Sequence, residues 1–322
     1  MNYFRKRVIT SVIVFIIAVN LDFFLPHLVP GNAGEILASG HSLPASAVKL
    51  IEDRFGLNQP LSVQYVDYLK GIFATWPPFF GFSFSYYPDT VTSLVAYRAQ
   101  WTLLLLISSF ALSITLCLVL GLFTFMKRGS KRELSTLYTS IVFWAMPGFF
   151  IAIVILFIFG VTLKILPMFG TTGFNAGTGL AYIGNVLQHA ILPVLAMTAI
   201  IFGQLYIVLR GAAQQVLGSD YITAAEERGL RENVISYRYV IRNALLPLVS
   251  LTGFYAAQLV SGAVVIESVF GYGGVGDLIF DGINSRDYPL VQGCFFYITV
   301  IVIVLGLFGD YFLTRLDPRL RR

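Results

Sequence analysis

The chain alternates long runs without a charged side chain with short clusters of lysine and arginine. Trp101 to Phe125, Leu134 to Leu163, Ala190 to Leu209, Asn243 to Ile266 and Tyr288 to Gly309 contain no Asp, Glu, Lys or Arg. Each reaches the ~20 apolar residues that a hydrocarbon core about 30 Å thick requires. A further run, Val8 to about Leu28, is interrupted by Asp22 and His27 near its far end. The pattern predicts an all-α polytopic membrane protein with six transmembrane helices. Arg5-Lys6-Arg7 followed by an apolar stretch resembles a secretory signal peptide. No small-x-small cleavage pattern follows promptly and five further spans do, so the stretch reads as an uncleaved signal-anchor helix.

Composition agrees. Of 322 residues 57% are hydrophobic and only 12% charged, about half the charge of a soluble chain, and the mean hydropathy is +0.77. Disordered, collagen-like, disulfide-scaffold and ordinary cytosolic enzyme classes are excluded. The net charge of +5 raises the question of nucleic acid, but its distribution answers it. The N-terminus and the segments 127–132, 210–242 and 315–322 hold 16 of the 22 basic residues. Under the positive-inside rule these lie on the cytoplasmic side, so both termini are expected there. The positive charge marks topology in a lipid bilayer, with no nucleic-acid partner expected. The expected organisation is an N-terminal transmembrane helix (1–29), an extracytoplasmic segment (30–100), a membrane domain (101–314) and a cytoplasmic tail (315–322). Residues 30–100 carry mixed charge, prolines and aromatics, enough for short helices capping the membrane domain. Residues 165–188 are apolar but carry five glycines, which predicts an outer loop or a dip into a cavity.

Signs of bond chemistry are sparse. Gly271-Tyr272-Gly273-Gly274-Val275-Gly276 matches G-x-G-x-x-G, but that fingerprint needs a preceding strand. After an apolar helix, glycines at a tight turn are the better account. No Gly-Lys dipeptide exists, so a Walker A loop is excluded. Asp22 and Asp310 sit near the ends of their spans, where solvation is a simpler expectation than a proton relay, and Lys164 can snorkel. His27, His41 and His189 lack ligand spacing, so His189 is expected to hydrogen-bond structurally. Cys117 and Cys294 lie inside apolar runs and carry no redox or metal message. Catalytic, cofactor-binding and metal-ligating residues are all expected to be absent, and the chain is expected not to be an enzyme.

The most informative stretch is Ser219 to Leu230 in the long basic loop 210–242. Asp220 can act as N-cap, and Gly229 suits a helix C-terminus. Positions 222, 225 and 229 share one face, and two of the three are small. Such a helix lets another surface approach closely and can pass force to the spans. A plain amphipathic loop helix satisfies the same pattern.

Asp220-Tyr221 through Gly229-Leu230, followed by Arg242-Asn243-Ala244-Leu245-Leu246-Pro247, resembles the coupling motif of ATP-binding-cassette (ABC) importer permeases, and more narrowly the B-type permease of the oligopeptide/dipeptide/nickel branch. Thr223-Ala224-Ala225 stands where the general motif has Glu-Ala-Ala, and Arg242 stands where it has proline. Phe55-Gly56-Leu57-Asn58-Gln59-Pro60 with Gln64-Tyr65, His189 to Pro193, Ala263 to Gly276, Arg286 to Pro289 with Val291-Gln292-Gly293, and Leu316 to Arg319 are similar to further blocks of that branch, in order along the chain. Pro30-Gly31-Asn32-Ala33, Gly273 and the stretch Thr75 to Phe80 depart from its usual pattern.

The resemblance implies a type I ABC importer permease fold with an outer segment after the first helix. It also implies a second homologous permease subunit, two cytoplasmic P-loop ATPases that bind ATP and magnesium, and an extracytoplasmic substrate-binding protein. Residues of about 219–230 would form the coupling helix, with Asp220, Tyr221, Ile222, Ala224, Ala225, Gly229 and Leu230 meeting an ATPase. The lining of the substrate pathway is left open. The solute is expected to be an oligopeptide or dipeptide, with oligosaccharide or chelated nickel as the alternative. The outer aromatics Tyr65, Tyr68, Phe79, Phe80, Phe82, Phe84, Tyr86 and Tyr87 would stack on sugar rings or, more simply, anchor at the membrane interface. An ion-gradient-driven secondary transporter is the alternative of another class. It lacks mid-span acids in spans two to five and leaves the 219–230 helix without a task.

Overall fold

The computed structural model describes residues 3–28, 56, 58–125, 129–174 and 176–316. The landmarks Pro30 to Ala33, Phe55, Leu57 and Asp317 to Arg319, His41 and most of the tail lie outside them. The described residues are helical, with a single isolated antiparallel bridge between Phe82 and Thr90. Helix α1 spans Tyr3–His27, α2 Leu61–Phe73, α3 Val91–Thr124, α4 Lys131–Ala145 and α5 Gly148–Ile155, which continues as a π-helical stretch Leu156–Thr162. Then come α6 Leu180–Leu217, α7 Asp220–Glu227, α8 Glu232–Val234, a second π-helical stretch Ile235–Ile241, α9 Arg242–Ser250, α10 Thr252–Phe270, α11 Val275–Asn284 and α12 Tyr288–Leu316.

Among the described residues four helices are long and apolar enough to cross a membrane: Phe4–His27, Val91–Thr124, Leu180–Leu217 and Tyr288–Arg315. The number rises to six if each of two bent pairs is one span. The apolar run from Leu134 to Leu163 is one of these pairs, bent by 109° between Lys131–Ala145 and Gly148–Thr162. The cause is local. Pro147 has no N–H and crowds the residue before it out of the helical region, and Met146 is extended at φ −80, ψ 138. The other pair is Ala257–Phe270 with Val275–Asn284, and within the run from Asn243 to Ile266 the helix is irregular at Leu251 (φ −96, ψ 3). The glycine-rich stretch expected to be irregular to residue 188 turns helical at Leu180, with Gly184 inside α6. α3 starts ten residues before its charge-free run because Arg98 is accommodated within the helix.

The chain divides into two units, Met1–Thr10, Leu103–Tyr272 and Val302–Arg322 forming one and Ser11–Thr102 with Gly273–Ile301 the other. In the first unit α6 is the central rod, and α4, α5, α9 and α10 pack on it. Its contact with α3 is a ladder of small polar groups. Ser109 Oγ donates to the Val194 carbonyl (3.4 Å), Ser113 Oγ to Thr198 (3.3 Å) and Cys117 Sγ to Phe202 (3.8 Å). The four-residue spacing holds the small side chains of α3 against successive α6 carbonyls on one seam, a packing mode of helices in lipid. On another side of α6, a Cβ at Gly203 would meet the Ser140 carbonyl at 2.6 Å, so only glycine permits the α4–α6 approach.

The second unit has an aromatic core. The Phe23, Tyr68, Phe80 and Phe296 rings form a chain with centroids 5.1 to 6.1 Å apart. Tyr65 donates to Asn20 Oδ1 (2.7 Å) and Tyr86 to Asp281 Oδ2 (2.6 Å). Of the eight outer aromatics, Tyr65, Tyr68, Phe80, Phe84 and Tyr86 are thus engaged in the unit's own packing. Phe79, Phe82 and Tyr87 remain exposed. Asp287 is buried and holds the segment 83–85, accepting from Ser83 Oγ (2.5 Å) and the Ser85 N–H (3.0 Å). Burial pushes its carboxyl above the usual aspartate range, and these donors pull it back. Asp22, expected to be solvated, is only 7% exposed, and its Oδ2 has no hydrogen-bond partner among the described residues. The same stretch of α1 is covered from α2, where Tyr68 donates to the Val19 carbonyl.

Candidate functional site

The loop singled out in the sequence forms a helix, α7, between α6 and the second π-helical stretch. Its N-cap is Ser219, which makes no capping bond, and Asp220 occupies the first turn instead of the cap expected for it. There its carboxylate complements the positive end of the helix. At the other end the Leu230 N–H reaches the Ala225 carbonyl (3.3 Å) and the Gly229 N–H the Glu226 carbonyl (2.8 Å). This is the Schellman closure, and it needs a residue with positive φ. Gly229 supplies it at φ +70.

The two faces of α7 differ sharply. Ile222 and Ala225 are 2% and 4% exposed and turn inward, where α7 packs on Ile235–Ile241. Ile235, Val240 and Ile241 are themselves buried. Two of the three positions on the stripe expected to admit a partner, 222 and 225, therefore face the chain's own π-helical segment, and Gly229 stays outside that contact. Of the remaining predicted contact residues, Asp220, Tyr221, Ala224 and Gly229 are exposed and Leu230 is half-buried. Tyr221 alone among them offers a large apolar surface, at 45% exposure.

A second polar cluster in the same unit goes beyond the sequence expectations. Glu133 is fully buried and accepts from Arg210 Nε near the end of α6 and from the Gly129 N–H (3.2 Å). Ser130 Oγ in turn accepts from the Glu133 N–H (3.2 Å). This ties the start of α4 to α6 ten residues before α7. The signal is present in the chain as Ser130-x-x-Glu133, the spacing of a capping box.

Other sequence candidates resolve as structural elements. Gly271 (φ +49) and Gly273 (φ +59) end α10 in a turn, with no strand before them, so the dinucleotide fingerprint lacks its context. His189 Nδ1 bonds the Asn185 carbonyl (2.8 Å), and Asn185 Oδ1 accepts from the Gly173 N–H (2.8 Å), pinning the glycine-rich loop to α6. Asp310 lies 3.5 Å from Arg7. Among the described residues no group of three His, Cys, Asp or Glu is placed to hold a metal.

Comparison with known proteins bears on this geometry. Residues 90–322 match the family described as binding-protein-dependent transport system inner membrane component. Residues 1–117 match the N-terminal membrane-component family of such systems. The chain is 28% identical to the dipeptide transport system permease protein DppB of Alkalihalophilus pseudofirmus, over 99% of both chains. It is 28% identical to the oligopeptide transport system permease protein AppB of Bacillus subtilis, over 99% of this chain and 98% of that one. To the oligopeptide transport system permease protein OppB of Haemophilus influenzae it is 29% identical, over 100% of this chain and 99% of the relative.

Proposed function

Because the chain belongs to the family of binding-protein-dependent transport system inner membrane components, a multi-pass inner-membrane protein of a transport system, we propose that it is a transmembrane subunit of an ATP-driven peptide importer. Peptide is favoured over oligosaccharide, chelated nickel or an ion-coupled solute because DppB, AppB and OppB, all aligned end to end with it, are named for peptide transport. On this reading the two bent pairs are spans, giving six, and both termini and the loop 210–242 face the cytoplasm. The chain pairs with a second permease, and α7 seats on one of two P-loop ATPases that bind ATP and magnesium. An external binding protein delivers the peptide. ATP and peptide each bias one of two packings of the spans, and this subunit carries out no bond chemistry itself.

The observation that carries the coupling role is the division of α7 into a buried anchor, Ile222 and Ala225, and an outward face bearing Asp220, Tyr221 and Ala224. A helix fixed to its own subunit on one side can transmit a displacement applied to the other. The test is purification through a tag on this subunit in mild detergent. A second permease and P-loop ATPases should co-purify, with ATP hydrolysis stimulated by peptide-loaded binding protein. A folded subunit that comes out alone and moves solute without ATP would overturn the assignment.

A further inference from the structure

Two cavities of similar size lie in the unit that contains α6; both are mostly apolar, and one has amide side chains in its wall. One, of about 420 Å³, is walled only by apolar side chains such as Leu103, Ile107, Phe110, Leu305 and Phe308. Lipid tails can fill it at no polar cost. The other, of about 400 Å³, is lined by Trp144, Gln204, Leu251, Phe254, Tyr255 and Gln258, with Ile207 and Val208 completing the wall. None of these carries a charge. Gln204 and Trp144 make no side-chain hydrogen bond with the described residues; Gln258 Oε1 has no partner among them either, but it is closed off from the open space. An amide left unbonded at membrane depth is costly against hydrocarbon, so Gln204 calls for an occupant that bonds it.

The backbone around it points the same way. Trp144 stands two residues before the extended Met146 and the 109° bend. Leu251 is itself the break between α9 and α10. Irregular backbone within an apolar span is tolerated where it is covered by protein or lines a polar cavity, and broken helices frame solute sites in many transporters. Trp144, beside the bend, and the irregular Leu251 both line this cavity.

We propose, on the premise that the chain imports peptides, that this cavity is part of the peptide's path, where Gln204 exchanges hydrogen bonds with main-chain amides and Trp144, Phe254 and Tyr255 pack on neutral side chains. Amides without charges suit a path that must pass many sequences. They satisfy the group every peptide shares and commit to neither sign of side-chain charge.

The test uses the whole importer in proteoliposomes, with Cys117→Ala and Cys294→Ala in this subunit so that an added cysteine is its only thiol. Gln204→Cys is compared with Ile107→Cys in the apolar cavity, using a cationic, membrane-impermeant methanethiosulfonate reagent. Gln204→Cys should react at least about tenfold faster, because the reacting thiolate is suppressed in apolar surroundings. Trialanine delivered by the binding protein should slow that reaction and leave Ile107→Cys unaffected. Equal rates at the two sites would mean that lipid fills both and would overturn the proposal. So would a Gln204→Cys that stays unreactive with and without peptide, as expected if the partner permease covers the cavity. Uptake of trialanine by the parent complex is measured separately. Its absence would remove the premise, whereas uptake without the labelling contrast would remove the cavity's role alone. As a second variant, Gln204→Glu should shift uptake severalfold toward lysine-containing over glutamate-containing tripeptides, and an unchanged ratio in an assembled complex would count against the site.

Discussion

Ile222→Ala isolates what holds α7 in place. The helix has eight residues, and isolated helices shorter than about 12–15 residues are marginal in water, so its order rests on packing. Ile222, 2% exposed, supplies most of that packing, since Ala225 has a single methyl group to bury. Removing its outer carbons forfeits roughly 0.8 kcal/mol per methylene, and the cavity left behind brings buried Ile→Ala changes to about 2–5 kcal/mol. Taking ~3 kcal/mol, the equilibrium between docked and undocked α7 shifts by about a hundredfold. Hydrogen–deuterium exchange of the assembled importer reads this directly at the Gly229 and Leu230 amides, whose bonds to Glu226 and Ala225 close the helix. Their exchange should accelerate by about two orders of magnitude if they open with the local unit, while amides in the middle of α6 stay protected. Thr223→Ala, on the exposed face, should change exchange little, within about 0.5 kcal/mol. The number of peptides imported per ATP hydrolysed should fall in Ile222→Ala and hold in Thr223→Ala. Unchanged exchange at Gly229 and Leu230 in Ile222→Ala would refute the anchoring argument.

Two further outcomes follow from the same unit. A methyl group added at Gly229 would meet no heavy atom within 4 Å, but the residue sits at φ +70, so Gly229→Ala should loosen α7 by backbone strain alone, about 1–2 kcal/mol. Exchange should show an effect smaller than that of Ile222→Ala, with Gly229→Asn milder still. Glu133→Gln leaves the Arg210 guanidinium without its counter-charge in a site where Glu133 is fully buried and Arg210 about three-quarters so. Breaking a buried pair costs about 3–5 kcal/mol, and residual access of Arg210 to solvent puts the expected loss at the low end. Thermal denaturation of the purified complex should register it, and Glu133→Gln with Arg210→Met should recover part of the loss.

The long helices were legible because a membrane imposes one requirement, a sustained absence of charge, and the chain meets it from Ala190 to Leu209 and from Tyr288 to Gly309. Where the structure departs, a different force acts. Absence of charge says nothing about backbone continuity, so Leu134 to Leu163 read as one span although Pro147 forces Met146 out of the helix. The extent of α7 was close to legible, 219–230 against Asp220–Glu227, because Gly229 marks its end. The direction of its faces was not. Helical spacing puts 222 and 225 on one side, but only the buried Ile235, Val240 and Ile241 decide that this side turns inward. Asp22 fails for the same reason, since its stretch of α1 is covered by α2, whose Tyr65 and Tyr68 bond Asn20 and Val19 from more than forty residues away in sequence.

The role of α6 in joining the two candidate sites follows from its length. At about 1.5 Å per residue, its 38 residues form a rod of ~57 Å. Gln204 of the neutral cavity and Leu217, three residues before α7, lie on the same rod. It is stiffened on one side by the Ser109, Ser113 and Cys117 ladder and tied near its end by Arg210 to Glu133. The opposing cavity walls come from elements bent at Met146 and irregular at Leu251. If an ATPase displaces α7, the displacement reaches Gln204 through a continuous helix, whereas Trp144 and Phe254 sit beside breaks where φ and ψ can absorb the movement. A cavity with one wall on a rod and the others beside hinges changes shape when the rod moves. Undocking α7 by Ile222→Ala therefore should abolish the peptide-dependent change in labelling at Gln204→Cys before it alters the packing of the spans.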